Sequence, residues 1–205
     1  MATTKPVVAA FDFDGTLTTR DTLLPFLRFY AGPAGFALGM ARSIATITAY
    51  GLRMMRNDVA KERLLQRFLR GADQAALAQC GQQYARKRLP QLVRSTALNR
   101  LRWHQAQGHR VVIVSASLDI YLKPWAEEIG IDQVLCTSLE SSADGRISGR
   151  LGSVNCYGPE KLRRLRDSLG DPSDYILYAY GDSRGDRELL ASADHSFYRR
   201  FTEAD

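Results

Sequence analysis

The feature that most limits what this chain can become is a set of three apolar runs without polar alternation: Val7 to Phe13, Arg110 to Val114 ("RVVIV") and Tyr175 to Tyr180 ("YILYAY"). A strand with one wetted face alternates polar and apolar residues. Runs like these predict strands covered on both faces, as in a parallel sheet flanked by helices. Helical patterns fill the intervals. Leu92 to Gln107 stops at Gly108, Leu118 to Glu128 stops before Gly130, and Pro159 to Leu169 opens on a proline suited to a first helical position and stops at Gly170. Strand and helix therefore alternate, which predicts an α/β fold with a doubly wound parallel sheet. A small β-hairpin is predicted around Asp144-Gly145, between Leu139-Glu140-Ser141 and Arg146 to Leu151.

The segment from Arg20 to Pro90 departs from this rhythm. It shows no clear strand but a succession of helical stretches, Asp21 to Tyr30, Ala34 to Met55, Asp58 to Leu69 and Asp73 to Leu89, punctuated by Gly32-Pro33, Asn57 and Gly71. We read it as a helical cap over residues 20–90, inserted after the first strand, with residues 1–19 and 91–205 forming the core. A chain of 205 residues can bury one core of this kind and carry the insertion.

With 28 Lys and Arg against 22 Asp and Glu, the formal charge of +6 suits a protein that meets anions, without choosing among phosphates, nucleic acid and a lipid surface. Nucleic acid is not expected as a partner, because no surface interleaves aromatic and basic residues and no binding motif is present. Cys80, Cys136 and Cys156 are odd in number and lack C-x-x-C spacing, which suits reduced thiols rather than disulfides or a zinc site. Met1 to Pro6 leads directly into the first strand without a signal-peptide pattern, so a cytoplasmic location is expected. His104, His109 and His195 have no ligand-like spacing and are read as structural or surface residues.

In open α/β sheets ligands bind at the carboxyl ends of the strands. Asp12 and Asp14 follow the first run, Ser115 the second, and Gly181-Asp182-Ser183-Arg184-Gly185-Asp186 the third. Residues two apart on an extended strand face one side, so Asp12 and Asp14 are expected to project together. Two carboxylates so placed repel each other and resist burial unless a cation intervenes. Magnesium suits them, since it takes oxygen ligands and sits between carboxylates and a substrate phosphate. Asp182 adds a further ligand from the neighbouring strand end, with Asp186 direct or one layer behind. A calcium loop of the EF-hand kind would need glycine where Leu17 stands. Ser115 can donate to a phosphoryl oxygen near a helix N-terminus, and Lys161, in the first turn of the helix opened by Gly158-Pro159-Glu160, can neutralise phosphate charge.

The "DFDGT" of Asp12 to Thr16, Ser115 in "VIVSAS", Lys161 in "GPEKL" and the "GDSRGD" of Gly181 to Asp186 stand in the order of the haloacid dehalogenase superfamily, which the chain resembles throughout its length. The insertion after the first motif is similar to the C1-type cap of the phosphoserine phosphatase-like branch, subfamily IB. This resemblance implies a magnesium-dependent phosphomonoester hydrolase in which Asp12 forms an aspartyl-phosphate. It also implies that Asp14 acts as general acid and then general base, while its backbone carbonyl joins the metal. An Asp at the second motif position is typical of the family's phosphatases and absent from its dehalogenases.

For the substrate, the resemblance points to Asp21 and Arg63, where phosphoserine phosphatases carry a Glu and an Arg, and to Ser115 and Ala116 after the second strand. Asp21 equally suits a helix cap, and Arg63 a solvated helix face. The "NCYGPEKL" and "YGDSRGDRELL" stretches and the long apolar cap segment from Ala34 to Leu52 are closer to subfamily IB hydrolases that include bacterial phosphatidylglycerophosphatases. That likeness implies a lipid phosphate substrate, with peripheral contact to the inner membrane through an apolar cap face backed by Arg53, Arg56, Lys61, Arg63, Arg67 and Arg70. A small-metabolite phosphatase is the alternative within the branch. A non-catalytic lipid-surface module is the alternative of another class.

Overall fold

The computed structural model describes residues 5–131 and 133–202, so the ends of the expected core and Asp132 lie outside the described residues. The elements run β1 (Val7–Phe11), α1 (Leu23–Ala41), α2 (Ile44–Gly51), α3 (Asn57–Leu69), α4 (Gln74–Lys87), α5 (Ser95–Ala106), β2 (Arg110–Leu118), α6 (Asp119–Glu128), β3 (Gln133–Thr137), β4 (Leu139–Ser141), β5 (Ile147–Leu151), α7 (Pro159–Leu169), β6 (Ile176–Gly181), α8 (Arg187–Ala191) and β7 (His195–Tyr198). Five strands form a parallel sheet in the order β3-β2-β1-β6-β7, and β4 and β5 pair as a separate antiparallel hairpin.

The unbroken apolar runs have the cause expected of them. Ala9 and Phe11 of β1 and Val111 and Ile113 of β2 enter one core, with Phe26, Tyr84, Tyr121 and Trp125. The intervening Val8, Ala10, Val112 and Val114 enter a second core on the opposite face, with Leu165, Leu177 and Leu189. Both faces of the central strands are thus covered. The edge strands β3 and β7 carry half-buried and exposed positions, so they lack the continuous apolar signature.

Two expectations change. β1 ends at Phe11 instead of Phe13, because the chain leaves the sheet at Asp12 and turns through Gly15 at φ +83°. The stretch from Ala34 to Met55 is not one helix. Gly32, at φ +71°, marks the expected break inside α1, but a second break falls at Arg42-Ser43, where the Ser43 hydroxyl donates to the Gly39 carbonyl at 2.8 Å.

The helical segment is seated on the core at two places. An added Cβ on Gly81 of α4 would lie 2.2 Å from the Ile120 carbonyl oxygen, so only glycine lets α4 approach α6 this closely. At the second place, the hairpin packs on α3. Gly71 donates to the Ile147 carbonyl at 2.8 Å, Ile147 returns a bond to Ala72 at 2.9 Å, and the Leu151 amide donates to Glu62 at 3.0 Å. No helix of the described residues is long and apolar enough to cross a membrane.

Candidate active site

The carboxyl ends of β1, β2 and β6 open into a cavity of about 600 Å³ that the helical segment roofs. Its floor includes Asp12, Asp14, Ser115, Lys161 and Asp182, and its roof includes Leu23, Met40, Ile47 and Leu64. The turn after β1 is tied by the Asp12 amide, which donates to the Tyr180 carbonyl at 2.9 Å, and by Thr16, whose hydroxyl reaches Asp12 Oδ2 at 3.0 Å and Asp182 Oδ1 at 3.4 Å.

The first surprise is the divergence of Asp12 and Asp14. Both line the cavity, but their carboxylates meet different partners. Asp14 turns toward the roof, where it accepts from the Thr22 amide at 2.9 Å, the Thr22 hydroxyl at 2.6 Å and the Ser117 hydroxyl at 2.6 Å. Its side chain is therefore not part of the carboxylate cluster expected to hold the metal. Burial, and then the charge of Asp21, push the Asp14 carboxyl up to about 6, against the pull of its serine and threonine donors.

The cluster consists of Asp12, Asp182 and Asp186, each offering a carboxylate oxygen within 4.8 Å of the others. Asp186 is fully buried and works in two directions. Its Oδ2 accepts from the Ser183 amide and hydroxyl at 3.0 and 2.9 Å, and its Oδ1 accepts from Lys161 at 2.5 Å. Lys161, two residues into α7, reaches Asp12 Oδ1 with the same ammonium at 2.5 Å. Burial opposes the charge on Lys161, yet the two carboxylates hold it above the ordinary lysine range. Burial pushes Asp12 upward while Lys161 pulls it back, and Asp182 is raised by burial and by Asp186. One ammonium against three clustered carboxylates leaves an excess of negative oxygen. That donor set fits a hard divalent cation.

Ser115 is buried in the final stretch of β2, where the register with β3 shifts between Val114 and Leu118. Its Oγ accepts from the Ser117 amide at 3.1 Å. Ala116 lines the cavity, and its carbonyl accepts a bond from Lys61. Asp21 also lines the cavity but is exposed, and its Oδ1 caps α1 by accepting from the Leu23 amide at 2.9 Å. Of its two readings, Arg63 takes the solvated helix face and not the substrate contact. It sits on the exposed face of α3 and is absent from the cavity lining, because two residues along a helix turn a side chain by about 200°. Lys61 takes the inward position instead.

Lys61, read from sequence among the cations behind a membrane-facing cap, is instead buried and turned to the cavity, and Thr16, Thr22, Ser117 and Asn155 were given no role of their own. For Lys61 a signal existed. It lies three and four positions before Leu64 and Leu65, on the apolar stripe of α3, where a solvated lysine has no place.

Three comparisons bear on this arrangement. Residues 9–191 match the family described as haloacid dehalogenase-like hydrolase. Protein CicA of Caulobacter vibrioides is 39% identical over 197 residues, covering 96% of this chain and 87% of the relative. Among solved structures, a Bordetella pertussis Tohama I protein of unknown function superposes with a TM-score of 0.79 at 25% identity, over 92% of this chain and 87% of that one. A phosphoserine phosphatase structure described as a phospho-aspartyl intermediate analogue shares the fold, with a TM-score of 0.62 at 18% identity over 92% and 84% of the two chains. The match spans both the sheet that supplies the carboxylates and the helical segment that roofs them: the chain belongs to the haloacid dehalogenase-like hydrolases.

Proposed function

We propose that this phosphatase hydrolyses phosphomonoesters with magnesium, through a covalent intermediate on Asp12. The observation that carries the reading is the division of labour between the two motif carboxylates. Asp12 faces Lys161 and the acidic cluster, while Asp14 faces the roof through Thr22 and Ser117. An attacking group and a proton carrier need that separation, one on the phosphorus and one on the leaving oxygen.

In the first step an Asp12 oxygen bonds to phosphorus as the ester P–O bond breaks, and protonated Asp14 gives its proton to the departing oxygen. Ionised Asp14 then takes a proton from a water whose oxygen attacks phosphorus, and the bond to Asp12 breaks. On this reading Lys161 and the Ser115 hydroxyl hold phosphoryl oxygens through both steps. Asp12, Asp182, Asp186 and the Asp14 carbonyl would hold the magnesium, which supplies charge neutralisation for the phosphoryl group when bound.

For the leaving group we favour a lipid phosphate. Leu23, Met40, Ile47 and Leu64 give the roof an apolar inner surface, and Leu38, Ile44, Leu52 and Met54 lie exposed beside it. The span from Thr22 to Asn57 carries four arginines and no acidic residue, which suits peripheral contact with an anionic bilayer. Phosphate release from p-nitrophenyl phosphate and from lipid and small-metabolite esters, with and without magnesium, tests this reading. Turnover that persists in Asp12→Asn would overturn it.

A further inference from the structure

Beside the active-site cavity lies a smaller one of about 290 Å³. It shares Gly15, Thr19 and Asp182 with the larger cavity but includes none of Asp12, Ser115 and Lys161. Its remaining wall brings three guanidiniums together, Arg94 from the segment before α5 and Arg199 and Arg200 from the segment after β7. No carboxylate lies within ion-pair distance of any of the three among the described residues. Asp182 is the only acid among the described residues of that wall, so three positive charges face one negative and positive charge is left over.

These arginines also keep most of their donors unmet. Each guanidinium carries five N–H groups. Arg94 Nη2 reaches the Gly15 carbonyl at 3.4 Å, and its buried Nε has no partner. Arg199 uses Nε on the Asp182 carbonyl at 2.9 Å. Arg200 makes no side-chain hydrogen bond among the described residues and lies over the Phe197 ring, 5.7 Å from its centre. The backbone holds this convergence in place. Arg199 sits at φ +58°, a conformation uncommon for a residue with a side chain, while its amide donates to the Gly181 carbonyl at 2.8 Å. Like charges gathered without a counter-charge repel one another, and a buried donor without a partner calls for an explanation.

We infer that this cavity binds a tetrahedral dianion, either inorganic phosphate or the phosphate group of a small ester, held by the forked donors of Arg94, Arg199 and Arg200. The site is separate from the phosphoryl position of the proposed reaction and does not depend on it. The Arg94 amide bonds the Leu17 carbonyl at 2.8 Å, and Arg199 bonds the end of β6. An anion drawn in among the guanidiniums therefore braces the turn after β1 against the strand end that carries Asp182.

The test is a calorimetric titration of inorganic phosphate and, separately, of glycerol 3-phosphate at fixed ionic strength with a chelator present. Without metal, the carboxylates of Asp12, Asp182 and Asp186 repel anions from the active site. At least one of the two ligands binds in a single equivalent and raises the melting temperature as its concentration rises. The tighter ligand identifies the source of the phosphate group. Arg94→Gln and Arg200→Gln each weaken binding about tenfold or more, and together they abolish it. Arg63→Gln removes the same charge from the exposed face of α3 and leaves the affinity unchanged. Arg200 is exposed, so its variant stays readable if Arg94→Gln fails to fold. Absence of binding by both ligands would overturn the inference. So would an equal loss in Arg63→Gln, which would mark general attraction to a basic surface. Binding that outlasts the arginine substitutions and disappears in Ser115→Ala would place the anion in the active site and overturn it as well.

Discussion

Gly15, in the turn after β1, lies against Asp182 at the end of β6 so closely that a Cβ on Gly15 would stand 2.4 Å from Asp182 Oδ2, and the carboxylate would have to shift. Gly15 also holds φ at +83°, a conformation that side-chain-bearing residues rarely adopt. Gly15→Ala is therefore expected to displace the Asp182 carboxylate while leaving the two cores intact. Displaced ligands of this kind lower metal affinity by roughly 10–100-fold. A magnesium titration of phosphate release measures the shift, and an unchanged half-saturation point would contradict the role given to Asp182.

Lys161 compensates two buried carboxylates at once, Asp12 and Asp186, each at 2.5 Å. Lys161→Met leaves both without their partner. Removing one member of a buried charge network costs about 3–5 kcal/mol, so the variant should melt well below the parent as well as lose turnover. Added magnesium should recover part of the lost stability, because a cation in the cluster supplies some of the missing charge. Thermal melts with magnesium and with a chelator distinguish this from simple loss of packing, for which the metal would make no difference.

Much of this architecture was legible in the sequence because buried parallel strands and acids at strand ends are local signals. β1, β2 and β6 announced themselves by runs that must be apolar on both faces, and Asp12, Lys161 and Asp182 by standing where those runs and the α7 helix begin or end. What escaped had a non-local cause. Asp12 and Asp14 line one cavity, but their partners differ, Lys161 for Asp12 and Thr22 and Ser117 for Asp14, and Lys161 and Ser117 come from far along the chain. Strand periodicity alone put both carboxylates on one side. Lys61 carried a local signal in its place on the apolar stripe of α3, but its partners, the Ala116 carbonyl and Asn155, lie far along the chain and no pattern within residues 57–69 reveals them.

His104 shows the same dependence on distant partners and gives a stability prediction. The ring is fully buried, with Nε2 at 2.9 Å from the Tyr180 hydroxyl and Nδ1 at 2.8 Å from His109 Nδ1. Burial first, and then the charges of Arg100 and His109, lower it from 6.5 to about 3. A histidine lowered on folding favours the neutral form, so its contribution is complete above pH 6.5 and is lost as pH falls from there toward 3. The loss is on the order of 1 kcal/mol per pH unit within that window. Denaturant unfolding at pH 7.5, 6 and 5 should therefore show a decline that His104→Gln reduces. Parallel curves for the two proteins would contradict it.

Asp14→Asn separates the two halves of the proposed reaction. Asparagine's carbonyl can accept the Thr22 bonds that Asp14 Oδ1 accepts, and its amide, where Oδ2 stood, can donate to a rotated Ser117 hydroxyl, so the roof contact is largely kept while the proton carrier is lost. Aryl phosphates leave without help, so attack by Asp12 continues on them, whereas alkyl phosphates need the proton and slow by about 10²–10⁴-fold. The second half has no such escape, because water must be deprotonated whatever the leaving group was. The variant should therefore accumulate an acyl-phosphate on Asp12 when given an aryl phosphate. Acid quenching followed by mass spectrometry of the peptide containing Asp12 would show a phosphate adduct that hydroxylamine removes. If the adduct stays absent while aryl phosphate is consumed, water attacks phosphorus directly and Asp12 is not the nucleophile.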